Sequence, residues 1–285
     1  MLWLSLRQSF GVLSRFFTLL YPLLGLALLL SALMPQEAPA LEWRWGILFA
    51  LLFLLYCAMM AGWYAMIGDA LRKTLLPTPA EEKPSMLPDS FKVFRSFLPG
   101  IGQYFAPVVV GNVVFFAGVA LLVGVCWWLI ANWAGGWPPV FEELLKLNGN
   151  QLEAARRLQA LTGAETLQFT RTMVVLMGGV IAYALYTLLM VFWPACLVLG
   201  NMNIGRAVLK SMQIFLKHPF AALTGGGLYL GVTVLLSEMA QVPNPLFQTV
   251  VQLLSFMWVS YCTVLIFVFA HHQLEVPVIS PAQGS

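Results

Sequence analysis

The sequence predicts an all-α integral membrane protein: six spanning helices in three parallel repeats, each repeat opened by an amphipathic helix lying on the membrane surface. Three observations predict it. Of the 285 residues, 60% are hydrophobic and only 9% charged, against about 25% charged in an ordinary soluble domain. Six apolar runs are long enough to cross a hydrocarbon core of about 30 Å, and in lipid a helix is the element that satisfies its own backbone one segment at a time. Short segments with a helical apolar stripe precede the first, third and fifth runs.

The first repeat covers residues 1–76. Its opening segment contains QSFGVLSRFF (8–17). Leu6, Phe10, Leu13 and Phe17 recur at i, i+4, i+7 and i+11, one face of a helix. The apolar run that follows, residues 17–34, exceeds the 7–15 residues of a signal-peptide core. It also follows an amphipathic segment rather than a short basic one, so it reads as a span despite Ala38-Pro39-Ala40. The second run, residues 47–67, returns the chain and closes on Gly68-Asp69.

A polar linker at residues 77–87, including AEEKPSML with Pro77, Pro79 and Pro84, leads to the second repeat, residues 88–200. DSFKVFRSFL (89–98) carries the stripe again as Leu87, Phe91, Phe94 and Leu98. Spans follow at residues 105–130 and 173–199, the latter closing on Gly200-Asn201. Between them lies a loop at 132–172, with Trp127, Trp128, Trp133 and Trp137 marking a membrane interface as an aromatic belt does. FEELLKLNG and NQLEAARRLQALTG in this loop read as two amphipathic helices closed by Gly149 and Gly163. Leu152, Ala155 and Leu158 share a face of the second, either as a lid on the bundle or as a docking surface for a protein partner.

The third repeat, residues 201–273, opens on the segment ending KSMQIFLKHPF (210–220). Val208, Met212, Phe215 and Pro219 hold the stripe positions, while Arg206, Lys210, Gln213 and Lys217 form a polar stripe opposite. Spans are expected at residues 220–239 and 247–270, followed by a tail at 274–285. Gly225, Gly226, Gly227 and Gly231 suit close helix packing in lipid.

Aligned without gaps, the three opening segments superpose Ser9, Ser90 and Ser211, and also Val12, Val93 and Ile214. An amphipathic segment too short and too charged to cross reads as an interfacial helix: apolar side chains sink into the leaflet and basic ones meet anionic headgroups. The stripe residues, with Arg206, Lys210 and Lys217, are therefore the expected lipid contacts. Pro22, Pro99, Pro107 and Pro219 then help turn the chain into the membrane, since proline can open a helix but not continue one.

Positive charge orients the chain. Ten basic residues fall on one side: Arg7, Arg15, Arg72, Lys73, Lys83, Lys92, Arg95, Arg206, Lys210 and Lys217. Five fall on the other: Arg44, Lys146, Arg156, Arg157 and Arg171. Both termini are expected in the cytoplasm.

No catalytic, cofactor or metal residues are expected. Cys57, Cys126, Cys196 and Cys262 sit singly in apolar runs, as small packing residues do. His271 and His272 are adjacent, so they point to different helix faces, and His218 precedes Pro219 at an interface. Phosphate-loop, HExxH and GxSxG patterns are absent. Ionisable residues inside a membrane mark proton or ion paths; here Asp69 and Glu238 stand at span ends, and Asn112 suits an interhelical hydrogen bond. A net charge of +3 without a clustered basic face gives no nucleic-acid partner.

The pattern of a serine followed by bulky apolar residues before each span, with His218-Pro219-Phe220 ending the third, resembles a loose group of bacterial six-helix membrane proteins. That group includes the membrane domain found beside glycerophosphoryl diester phosphodiesterases. No phosphodiesterase domain is present, so the resemblance implies no catalytic residue; it implies a bacterial inner-membrane setting.

The function expected is that of a non-catalytic membrane-complex subunit, scaffold or organiser contacting lipids and either a protein partner or a second copy of itself. The alternative is a carrier or transporter for a lipid or other apolar molecule, for which parallel repeats would enclose an apolar cavity. An intramembrane enzyme has no constellation to support it.

Overall fold

The computed structural model describes residues 2–33, 43–75, 93–146, 151–242 and 244–274. Among them all regular structure is helical and no strand occurs. In chain order the elements are α1 (Leu2–Arg15), a 3-10 turn (Phe17–Leu20), α2 (Tyr21–Leu33), α3 (Trp43–Leu75), α4 (Phe97–Asn132), α5 (Pro139–Lys146), α6 (Gln151–Gln159), α7 (Gly163–Met190), α8 (Trp193–Leu199), α9 (Ile204–Lys217), α10 (Pro219–Met239) and α11 (Pro245–Leu274). The linker at 77–87, Gly149 and the tail beyond Leu274 lie outside the described residues.

Five helical stretches are long and apolar enough to cross a membrane: Trp45–Thr74, Phe97–Asn132, Gly163–Leu199, Pro219–Met239 and Phe247–Leu274. The protein is an all-α polytopic membrane bundle. The first run differs from the other five. Trp3–Arg15 and Phe17–Leu29 meet at 91°, so the amphipathic segment turns sharply away from the apolar one, and the turn plus α2 gives only about 25 Å of helix over residues 17–33. By contrast α4, at 36 residues, is about 54 Å long, well beyond a hydrocarbon core of about 30 Å.

Proline placement follows its chemistry in most cases. Pro219 and Pro194 occupy the first turns of α10 and α8, where their missing N–H has no intrahelical partner to lose. Pro22 is the second residue of α2. Pro107 departs from the expectation: α4 begins at Phe97, so Pro107 lies inside the helix rather than at its entrance.

The chain divides into two compact units. The first comprises residues 1–112 and 188–285. Its core is built from the turn after α1, the C-terminal halves of α3 and α11, and α8. Phe16, Leu19, Trp63, Met66, Leu71, Leu197 and Phe267 are buried there. The Trp63 indole N–H donates to the Leu19 carbonyl at 2.8 Å, satisfying a carbonyl in a turn where no α-helical partner is available. Helices α3 and α4 approach closely around Gly62 and Gly100. A Cβ added to Gly100 would sit 2.2 Å from the Ala65 Cβ, and one added to Gly62 would lie 2.6 Å from the Phe97 ring.

The second unit, residues 113–187, is a helical hairpin capped by α5 and α6. The Tyr186 hydroxyl donates to the Val114 carbonyl at 3.1 Å and its ring stacks on Phe115. Gly118 leaves the space that Tyr186 fills, and Gly179 does the same for Cys126. Gly135 and Gly136, both at positive φ, form the turn after α4. Their carbonyls accept from the Gln168 amide.

Gly163 does not close the second loop helix. It opens α7, with Thr162 before it. The Glu165 carboxylate accepts from both the Thr162 N–H and hydroxyl at 2.9 Å, a capping box. That local bonding outcompetes the C-terminal role.

Candidate functional site at the basic end of the bundle

Most of the first unit's basic residues cluster by element: Arg7 and Arg15 on α1, Arg72 and Lys73 at the end of α3, Arg95 before α4, and Arg206, Lys210 and Lys217 on α9. These elements carry the expected lipid-contact residues. The packing shows that each amphipathic helix has three faces rather than two.

On α9 the face toward the protein is Ala207, Ser211 and Ile214, all buried. One residue further round, Val208 and Met212 are half-buried, while Phe215 is only 8% exposed and belongs to the protein-facing side. Leu209 and Leu216 are exposed. The third face carries Arg206 and Lys217, both exposed, with Lys210 half-buried.

Helix α1 repeats the arrangement. Ser5, Ser9, Val12 and Phe16 are fully buried, Leu6 and Leu13 half-buried, and Phe10 is 68% exposed, with Phe17 also outward. In the middle segment Val93 is fully buried, Phe94 outward and Leu98 74% exposed. Leu87, Phe91 and Ser90 lie outside the described residues.

The positions Val12, Val93 and Ile214, which coincide in the alignment, therefore share one environment: contact with the protein. Ser9 and Ser211 share burial but not bonding. The Ser9 hydroxyl donates to the Ser5 carbonyl of its own helix at 2.6 Å. Ser211 instead reaches the break between α7 and α8. It donates to the Leu189 carbonyl at 2.6 Å and accepts from the Phe192 N–H at 3.1 Å. Both are backbone groups that a broken helix cannot satisfy internally.

The end of α11 anchors the surface helices on both sides. His272 Nε2 is 2.7 Å from the Gln8 side-chain oxygen on α1, and His218 Nε2, at the α9–α10 corner, is 2.8 Å from the Gln273 oxygen. The Tyr261 hydroxyl donates to the Leu6 carbonyl. His218 and His272 thus serve as hydrogen-bonding partners at this end. Among the described residues no group of three or more His, Cys, Asp or Glu is placed to hold a metal.

A cleft of about 140 Å³ opens beside this cluster, between the ends of α3, α4 and α8. Gly68 and Gly100 line it with Ala65, Val198 and Pro99, and the polar groups of Asp69, Arg72, Ser96, Gln103 and Tyr104 face the same space. The Arg72 guanidinium donates to the Val198 carbonyl at 3.3 Å, and Asp69 pairs with Lys73 at 2.8 Å. The sequence showed Asp69 and Arg72 as span-end charges. It did not show that Gln103 and Tyr104, two turns into a helix on another segment, stand with them.

In the second unit the predicted docking face is outward. Leu152 is 65% exposed, and Ala155 and Leu158 are also exposed. The α6 helix is tied to α5 by a bidentate ion pair between Arg157 and Glu143. The Arg157 guanidinium holds the Glu143 carboxyl below the usual carboxylate range. Trp137, Phe141 and Phe169 stack in sequence beneath it, and the Arg171 guanidinium lies over Trp133.

Asn112 donates to its own helix at Val108 and lies 3.7 Å from Cys57 Sγ on α3. Among the described residues, Gly226 of α10 meets Leu188, while around Gly225, Gly227 and Gly231 a Cβ would find nothing within 4 Å. The close packing that those three suit is not supplied by the described residues.

No protein-family model, curated protein or solved structure matches the chain.

Proposed function

We propose that the protein is a non-catalytic subunit, scaffold or organiser of a membrane complex, holding lipid and either a protein partner or a second copy of itself. One observation carries this reading. Within the first unit packing concentrates at the basic end, while only 6% of the most apolar stretch of α10 is buried. The α10 surface left open includes three glycines, the residue type that lets another helix approach closely in lipid.

In this reading the amphipathic helices α1 and α9 lie in the headgroup region of the cytoplasmic leaflet, and a middle one precedes α4. Their three faces suit that setting: one toward the bundle, one toward acyl chains and one basic face toward anionic headgroups. The coincident serines and apolar positions support three parallel repeats. The charge asymmetry supports cytoplasmic termini, and the resemblance supports a bacterial inner membrane. The α6 face of Leu152, Ala155 and Leu158 is a second place for a protein to dock. The alternative, a carrier for a lipid or other apolar molecule, draws on the cleft beside Arg72.

Native mass spectrometry from nanodiscs tests the proposal. The expected result is the chain with a stoichiometric partner or second copy and with retained phospholipid. A lone monomer carrying no lipid contradicts it.

A further inference from the structure

We infer that the cleft beside Arg72 is a binding site for a phospholipid, with the lipid phosphate against the Arg72 guanidinium and an acyl chain running along α4. The inference rests on the lipid-holding part of the function proposed above and names its ligand. Three observations carry it.

The first is chemistry. The cleft gathers a guanidinium, the Gln103 amide and the Tyr104 hydroxyl, a donor set suited to phosphate oxygens, while the Ser96 hydroxyl donates to the Val93 carbonyl at 2.6 Å. Arg72 is held in place by its bond to the Val198 carbonyl, so little side-chain freedom is lost on binding. The one acid there, Asp69, is already paired with Lys73. Among the described residues neither Gln103 nor Tyr104 spends its side-chain hydrogen bonds elsewhere.

The second is depth. Trp45 stands at the start of the apolar stretch of α3, and Ala65, at the cleft, follows 20 residues later. At 1.5 Å per residue that is about 30 Å, the thickness of the hydrocarbon core. Arg72 therefore falls in the headgroup layer, where a lipid phosphate resides.

The third is continuity. Pro99 and Gln103 line the cleft, and Ala106 and Val110 continue the same face of α4 at helical spacing. All four are exposed. This path leads from the phosphate donors toward the membrane interior along small or apolar side chains, as an acyl chain requires.

The test uses the full chain in detergent, delipidated and then offered dioleoyl phosphatidylglycerol, dioleoylglycerol or inorganic phosphate, with bound mass read by native mass spectrometry. The site predicts one tightly retained phosphatidylglycerol that dioleoylglycerol does not replace and inorganic phosphate does not displace. Arg72→Gln should weaken retention about tenfold or more, the loss of a charge-assisted hydrogen bond. Ala106→Trp, on an outward face where folding is not at risk, should weaken retention of the lipid as well. Unchanged retention in both variants overturns the site. Arg72-dependent binding of inorganic phosphate that displaces the lipid, with Ala106→Trp silent, overturns the lipid assignment in favour of a free phosphate ligand. The same spectra separate the two readings. Lipid retention unchanged in both variants, with a stoichiometric partner present, overturns the cleft alone, and an Arg72-dependent lipid on a lone monomer overturns the subunit reading alone.

Discussion

Gly100→Ala destabilises the protein by about 2 kcal/mol, within the usual range for overpacking a tight contact. The sign is informative, because alanine is the better helix former by about 1 kcal/mol, and at an open position the same change would stabilise. At Gly100 the new methyl would lie 2.2 Å from the Ala65 Cβ, and two Cβ atoms cannot rotate away from each other. Helices α3 and α4 must separate at the point where they cross. The next nearest atoms, the Gly62 Cα at 3.4 Å and the Ala61 carbonyl at 3.5 Å, are at or near ordinary contact. Ala65→Gly in the same chain should therefore restore most of the loss, a coupling that additive effects would not produce. Gly227→Ala, facing open space, should leave the monomer's stability unchanged or slightly raised. Denaturation of the three variants and the parent chain in mixed micelles gives the comparison. Equal effects at Gly100 and Gly227 would contradict the crossing.

Ser211→Ala should cost about 1–3 kcal/mol, the penalty for leaving buried polar groups unpaired. The hydroxyl accepts from the Phe192 N–H and donates to the Leu189 carbonyl. Both belong to the break between α7 and α8, where no helical partner is available. Away from water those groups have no substitute, which places the cost toward the upper end. Ser9→Ala is the contrasting case. Its hydroxyl only returns to a carbonyl of its own helix, so its removal orphans nothing and should cost little. The two serines align in sequence and are equally buried, so a difference in their effects isolates the role of the break. Amide exchange at Phe192 should speed up in Ser211→Ala and remain unchanged in Ser9→Ala. Equal effects of the two substitutions would contradict this bonding.

The fold was largely legible because lipid imposes a simple rule: apolar runs of sufficient length become helices. The second, third, fifth and sixth predicted spans each coincide with a single helix, while the first is a 3-10 turn plus α2 and the fourth is broken between α7 and α8; α4 starts at Phe97 and α7 at Gly163, several residues before the apolar runs do. The extra turns of α7 are polar enough to escape a hydropathy reading, those of α4 hold Pro99, Gly100 and Gly102, and the capping box at Thr162 and Glu165 fixes the start of α7. The first and third amphipathic segments were legible as helices, but the periodicity of the first singled out the bulky stripe of Leu6, Phe10 and Leu13. The face that packs on the protein is one residue away and includes Ser5 and Ser9. Serine reads as polar in any hydrophobic pattern, so only the coincidence of Ser9 with Ser211, and of Val12 with Val93 and Ile214, hinted at it. The cleft was not legible. Arg72 and Gln103 are brought together by the crossing at Gly100, and a crossing point between distant helices leaves no periodic trace in one sequence. The glycines of α10 show the reverse limit: their composition signals close packing, but not whether the partner helix belongs to the same chain.

The account depends most on the amphipathic helices lying at a membrane surface with a protein-facing serine edge. A nitroxide scan along α9 in nanodiscs, with accessibility to oxygen and to a water-soluble nickel chelate read at each site, tests it directly. The predicted result is a helical period with three phases: Ala207, Ser211 and Ile214 shielded from both, Leu209 and Leu216 open to oxygen, and Arg206 and Lys217 open to the chelate. A scan in which Leu209 and Leu216 respond to the chelate as strongly as Arg206 and Lys217 would contradict it, because the helix would then stand in water rather than against lipid.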